Sequence, residues 1–450
     1  MTGLTAQLAE FAAHPERLVL DDAALAIVRT GFIDTIGGML AGAGEPVTGI
    51  VRRHVLARGG AARHARLLMG SERAASRDAA LVNATAGHAL DYDDVALAGH
   101  PSVVLVPALL AEGERLGASG AALMRAYVVG YEVWADLLGR ESDRLHLKGW
   151  HPTAVFGTVA GAAAVAALAG LDAARCRHAL GIAASMAGGL IANFGSMVKP
   201  LHAGRAAACA IEAAELAAAG LEAAPDALEH HAGYLAALSP AGRVDRETPA
   251  APGTPLRLAA LGLSVKKYPM CYATHRVIDA VLDLAHAHDI DAGRVRAVHA
   301  TVGRAQASML RNHAPATGLE AKFSLEFAIA AALAARKVGL AELADEVVRR
   351  DAVRALFPKV AITTVDTESP SEPTFAASDR VVIETVDGAR FDSGEVREAR
   401  GSAALPLRAD ELRAKFLDCA AAAGRADGAA LFGRLAGLER IADVNDLLPA

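Results

Sequence analysis

The stretch Gly87–Pro107, GHALDYDDVALAGHPSVVLVP, decides how this chain is read. His88, Asp91, Asp93, Asp94 and His100 cannot all face the interior of one helix. Gly99-His100-Pro101 is a turn that stops one helix before Val103 to Leu110 begins another. The expectation is a set of apolar helices joined by a turn that presents acids and bases together, as proton transfer requires. The alternative for this segment alone is structural, with the aspartates capping helices and His100 satisfied within its turn.

Outward from that turn, composition sets the bounds. The chain has 450 residues, long enough to expect two domains. It is 53% hydrophobic but only 4% aromatic, so Ala, Leu and Val carry the bulk, as suits closely packed helices. A net charge of -6 with dispersed charges lacks the basic stripe of a nucleic-acid binder. Cys176, Cys209, Cys271 and Cys419 are far apart and form no CxxC pair. That spacing argues against a disulfide framework or a zinc site and suits a reducing compartment. The N-terminus carries Glu10, Glu16 and Arg17 where a signal would be apolar, and so reads as the first helix of a cytoplasmic protein.

Two helices are expected within residues 5–44, one at Ala79–His88 leading into the acidic turn, and others at Val103–Glu114 and Ala121–Leu138. Ala154 to Leu171 carries no charge, nor does Ala179 to Val198. Their length would allow a membrane span, but Ala and Gly dominate and Gly188-Gly189 interrupts the second, which favours a buried helical hairpin. Such a hairpin returns the chain to where it began, so His151 and Lys199 are expected at the same end, each before a proline with its backbone extended. A helix is expected at Arg205–Ala219, and another over Leu221–Leu238 whose His230-His231 pair lacks a third ligand at metal spacing. Ser239 to Pro255 is a Pro- and Gly-rich loop. Beyond it, Val295–Val302, Val360–Val365 and Val381–Val386 read as strands, with Asp387-Gly388 as a hairpin turn. Helices at His275–His288, Phe323–Val338 and Ala341–Arg350 complete an α+β unit, and helix resumes over Ala409–Leu447.

The motifs GHALDYDD, GHPS, WHPTAVFGT, VKPLHAGRAA, KKYPMCYATH and AKFSLEFA, in this order, resemble those of the MmgE/PrpD family over residues 5 to 445. The resemblance implies a mostly α protein. Residues 1–265 would form an all-helical domain and 266–400 a smaller α+β lid, with 401–450 returning to the helical domain. It further implies a homodimer, chemistry without a metal or cofactor, and a small carboxylate substrate bound between the domains; composition and the N-terminus add the expectation of a cytoplasmic protein with no nucleic-acid or membrane partner. Asp91, His100, His151 and Lys199 would be catalytic, and Lys266, His202, Lys267 and Cys271 would bind substrate.

The family's members dehydrate 2-methylcitrate, decarboxylate cis-aconitate or epimerise iminodisuccinate. All three activities move a proton at a carbon next to a carboxylate. Lysines would neutralise the substrate carboxylates while a histidine, oriented by Asp91, moves the proton. The expected function is a metal-free lyase or isomerase with dehydration first, and epimerisation and decarboxylation behind it. Where the family's decarboxylase has His, Tyr and Thr, this chain has Cys271, Phe327 and Val95. A carboxylate-binding helical protein without catalysis is the alternative from another class.

Overall fold

A computed structural model of the chain describes residues 3–369 and 375–447. The chain forms two compact units, one of residues 1–264 and 412–450 and one of residues 265–411. The fold is mostly helical.

The first unit is all but purely helical. Helices α1 (Leu4–Ala13), α2 (Asp22–Ala41), α3 (Pro46–Arg58) and α4 (Ser76–Ala89) lead into the acidic turn. Helices α5 (Ser102–Leu116), α6 (Gly120–Gly139), α7 (Pro152–Leu168), α8 (Ala173–Met186) and α9 (Val198–Ala218) follow it. Helix α7 is the centre of the unit, packed by α5, α6, α8 and α9. Nearly every one of its residues is buried, which explains an uncharged run dominated by Ala, Val and Gly: small side chains let neighbouring backbones approach. At Gly161, for example, a Cβ would come within 2.8 Å of the Ala210 methyl group. Among the described residues one helical stretch, Asp22–Gly44, is long and apolar enough to cross a membrane; in the fold its apolar window is 67% buried.

Three local expectations are corrected. The second uncharged run is not one helix to Val198: α8 ends at Met186, and the chain returns irregularly before α9 starts. The break falls where Gly189 crosses His202, since a Cβ there would lie 3.1 Å from the ring. Lys199 is not extended but sits in the first turn of α9, where Pro200 forfeits only an N–H that has no helical partner. Leu221–Leu238 is helical only at Tyr234–Leu238, because Pro225 lacks a donor and Gly220 takes a left-handed φ of 98°.

The second unit centres on a four-stranded sheet, Val360–Val365, Val295–Gly303, Arg380–Thr385 and Arg390–Asp392 in spatial order. The first pair is parallel and the others antiparallel, and the last two strands form the hairpin signalled by Asp387-Gly388. Helices His275–Ala287 and Leu325–Ala335 supply its apolar core with Val277, Val281, Phe327 and Ile329. The expected helix Ala341–Arg350 is broken at Ala344, whose backbone is extended.

After the second unit the chain re-enters the first along the helix Ala409–Ala422, and helix also breaks there, at Gly424, before Gly428–Leu435. Lys415 anchors that return: its Nζ lies 2.5 Å from Asp34 Oδ1 on α2 and donates to the Tyr92 carbonyl at 2.8 Å. The ammonium also stands 3.9 Å from the Tyr92 ring centre. Both charged groups are buried, and burial raises the Asp34 carboxyl above its usual range while Lys415 opposes that rise. Removing one partner of a buried pair strands the other, at about 3–5 kcal/mol. Lys415→Met is therefore expected to lower stability in urea unfolding by about 3 kcal/mol or more, and adding Asp34→Asn to recover much of it. A single variant as stable as the parent would contradict this role.

Candidate active site

The acidic turn is built by backbone geometry that few residue types favour. Helix α4 carries His88 in its last turn, and Asp91 closes the helix with a left-handed φ of 53°, its N–H donating to the His88 carbonyl at 3.1 Å. Aspartate tolerates that region better than most residues. Past Asp91 the chain points Tyr92, Asp93 and Asp94 inward, and all three are buried. Leu97 and Ala98 are also left-handed, and the flanking Ala96 and Gly99 exchange backbone hydrogen bonds at 3.0 and 2.9 Å. This is the two-residue turn that usually selects Asn-Gly, and at Leu and Ala each φ costs about 1–2 kcal/mol. Two contacts hold it in place. Trp134 Nε1 donates to the Leu97 carbonyl at 3.1 Å, and the His100 N–H donates to Thr153 Oγ1 at 3.2 Å. Gly99 packs tightly there: a Cβ would stand 3.0 Å from both Thr153 Oγ1 and the Trp134 ring, so a larger residue would push on both contacts.

The three carboxylates of the turn differ in environment. Asp94 accepts from Ser102 Oγ, which also meets the Tyr127 hydroxyl at 2.7 Å. Burial, with Asp34 and Asp93 adding to it, pushes the Asp94 carboxyl well above the usual range, and its contact is with Ser102 rather than with the imidazoles. Asp93 is equally buried. Burial opposes its ionisation, but His88 and His100 outweigh burial and hold it well below the usual range. His88 Nδ1 lies 2.9 and 3.0 Å from its two oxygens, and His100 Nδ1 lies 3.0 Å from Oδ2. Asp91 is more open: its Oδ1 meets Lys199 Nζ at 2.9 Å and stands 3.8 Å from His100 Nε2.

A second pair of imidazoles completes the cluster. His151 precedes α7 with an extended backbone, and its N–H donates to the Gly189 carbonyl at 2.9 Å. His151 Nδ1 and His202 Nδ1 are 3.1 Å apart, a hydrogen bond that needs one ring as donor and the other as acceptor. Phe194 lies against His151 with ring centres 4.9 Å apart and under the Lys199 ammonium at 5.5 Å. The His88 ring centre is 4.4 Å from that of His100 and 6.2 Å from that of His151. Burial, with His88, His100 and Lys199 adding to it, lowers His151 far below the usual histidine value. His202 is lowered by burial and Lys199. Neutral imidazoles beside an ammonium and an ionised carboxylate can accept and return a proton.

His88, Asp91, Asp93 and His100 offer donor atoms that all lie within 4.8 Å of one another, close enough to consider a cation. The donor chemistry disfavours it. Asp93 already takes N–H groups from two rings, and Asp91 is paired with Lys199.

Of the residues singled out from sequence, Asp91, His100, His151, Lys199 and His202 lie in this cluster of the first unit. Lys266, Lys267 and Cys271 belong to the second unit. There Lys266 is buried, Lys267 Nζ pairs with Glu411 at 2.7 Å, and the Cys271 N–H donates to the Lys322 carbonyl at 3.0 Å. Sequence reasoning left His88, Asp93 and Phe194 off the site. The spacing of His88 and Asp93 across a helix end was the available signal for the first two; Phe194 had none.

The sequence pattern of the MmgE/PrpD N-terminal domain matches residues 6–247, and that of the MmgE/PrpD C-terminal domain matches residues 268–431. Cis-aconitate decarboxylase from Homo sapiens is 31% identical to this chain over 350 residues, which are 75% of this chain and 71% of that protein. The Mus musculus protein of the same name is 30% identical over 349 residues, 75% and 70% of the two chains. The one from Aspergillus terreus is 28% identical over 338 residues, 69% and 68%.

The buried imidazoles make stability depend on pH. Burial lowers His88 to about 4, with Asp93 opposing and Lys199 and His100 adding. An unfolded histidine titrates near 6.5, so below that pH the unfolded chain binds protons that the folded chain does not. Stability is therefore full above about pH 6.5 and lost progressively as pH falls toward about 4, at up to about 1.4 kcal/mol per pH unit for each such histidine. Urea unfolding stepped from pH 7 to pH 4 is expected to show this loss, with a shallower slope in His151→Asn. Identical slopes in parent and variant would show that His151 is not held neutral.

Proposed function

Because the chain belongs to the MmgE/PrpD family, we propose that the cluster of His88, His100, His151, Asp91 and Lys199 is the active site of a metal-free lyase. Its substrate is a small di- or tricarboxylate. That the chain is an enzyme of lyase type follows from its relatives; the substrate and the roles of its residues are the proposal. One observation carries it: Asp91 stands between His100 and the Lys199 ammonium, and Phe194 lies against both that ammonium and His151, so two imidazoles and a cation share one polar cluster.

The chemistry begins with the substrate. Removing a proton from a carbon beside a carboxylate places negative charge on the carboxylate oxygens, and a nearby ammonium stabilises that charge most as it develops. Lys199 supplies it. A substrate carboxylate competes with Asp91 for the ammonium, so Asp91 holds Lys199 in position until substrate arrives. His100 moves the proton, and His151, neutral and coupled to His202, is the second acid-base group.

Loss of water from the neighbouring carbon is the first choice of reaction. It is supported by the departures from the decarboxylase pattern. Cys271 is half-buried beside an apolar core and Phe327 lies wholly within it, so neither offers a ring nitrogen or a phenol hydroxyl. Val95 is engaged in backbone pairing with Ser264. Decarboxylation of a cis-aconitate-like acid is the second reading, favoured by the relatives' activity.

Steady-state kinetics with 2-methylcitrate, citrate, cis-aconitate and iminodisuccinate, in EDTA throughout, test the proposal. His100→Asn is expected to lower kcat by ~10²-fold or more with KM nearly unchanged. Lys199→Met should raise KM as well, because a cation on a carboxylate acts in ground state and transition state alike. Full turnover in His100→Asn, or activity lost in EDTA and restored by one divalent ion, would overturn it.

A further inference from the structure

The acidic turn contains a carboxylate that the proposed chemistry leaves unused. Asp93 is fully buried and offers no surface to a substrate. Its two oxygens are instead occupied by two imidazoles. His88 Nδ1 bridges both oxygens at 2.9 and 3.0 Å, while His100 Nδ1 meets Oδ2 at 3.0 Å and the Asp94 carbonyl at 2.8 Å.

Every partner of these two nitrogens is an acceptor. Backbone carbonyls accept only, and an ionised carboxylate accepts only. Each Nδ1 must therefore carry its ring's proton, and in the neutral ring Nε2 must carry a lone pair. For His100 that lone pair faces Asp91 Oδ1 at 3.8 Å, too far for a hydrogen bond, on the side where Lys199 stands. For His88, Nε2 is buried without a hydrogen-bond partner. An imidazole used as a base needs its proton on the nitrogen turned away from the substrate, fixed there by a group that is not consumed.

We propose that Asp93 is a positioning residue shared by two imidazoles: it fixes both His88 and His100 as Nδ1–H tautomers, which leaves both Nε2 atoms as proton acceptors. This rests on the reading of the cluster as an acid-base site. One carboxylate serves two rings, and the Asp94 carbonyl gives His100 a second acceptor that His88 lacks. The two rings therefore differ in how firmly their tautomers are held.

That asymmetry makes the proposal testable through Asp93→Asn. The amide keeps one acceptor and replaces the other oxygen with a donor. His100 stays Nδ1–H on the Asp94 carbonyl, whereas His88 loses one of its two acceptors to an N–H that competes for its Nδ1, so its Nε2–H tautomer gains population. In the full chain labelled with ¹⁵N at histidine, above pH 7, the parent is expected to show both rings as Nδ1–H, assigned through His88→Asn and His100→Asn. Asp93→Asn is expected to raise the Nε2–H population of His88 alone and, because it removes the carboxylate charge that supports a proton on His100, to lower kcat ~10²-fold with KM within about threefold.

An Nε2–H tautomer at His88 or His100 in the unsubstituted protein overturns the proposal, and that readout stands even if Asp93→Asn does not fold. A loss of kcat that merely tracks the folded fraction, or a parent-like kcat in Asp93→Asn, overturns it too. These outcomes are separate from failure of the site reading, which would show as full turnover in His100→Asn.

Discussion

A carboxylate sealed from water stays ionised only if its surroundings replace the hydration it has lost, and Asp93 is the point at which this protein meets that demand. The replacement comes from two imidazole N–H groups, one on the last turn of α4 and one immediately before α5. The left-handed Asp91, Leu97 and Ala98 are what bring those two helix ends together. Their unfavourable backbone angles persist because Trp134 and Thr153 hold the turn from α6 and α7. Lys415 braces the same turn from beneath through the Tyr92 carbonyl, so the C-terminal return of the chain supports the cluster as well.

Much of this was legible in the sequence, for identifiable reasons. The helices α4, α5 and α6 stand where apolar periodicity and the Gly-His-Pro turn put them. The strands of the second unit announced themselves by alternation and by Asp387-Gly388. The closeness of His151 and Lys199 followed from chain length alone: a helix out and a return must bring the ends back, even though the return proved irregular from Ala187 to Met197. What failed was local. Pro225 and Gly220 cancelled a helix that composition favoured, and Pro200 fitted inside a helix because it fell in the first turn.

The division of labour among the aspartates was not legible. Asp91, Asp93 and Asp94 look alike in the string DYDD, yet one pairs with an ammonium, one serves two imidazoles and one is a buried carboxyl held by Ser102. Which role each takes depends on the φ of Asp91 and on burial, neither of which a spacing rule encodes. Asp91 was expected to orient the proton-moving histidine. In the structure it is Asp93 that meets the Nδ1 of His100, and Asp91 holds Lys199.

The central claim is metal-free proton transfer at a carbon next to a carboxylate, and the most direct measurement follows that proton. The unsubstituted chain, in D2O with EDTA, would be incubated with each of the candidate acids and observed by proton NMR. The proposed chemistry predicts that at least one acid exchanges deuterium into that carbon, or loses water or CO2, and that His100→Asn abolishes the change. If an acid binds and neither exchanges nor reacts, the cluster is a carboxylate-binding site and the proton-transfer roles assigned to His100 and His151 are wrong.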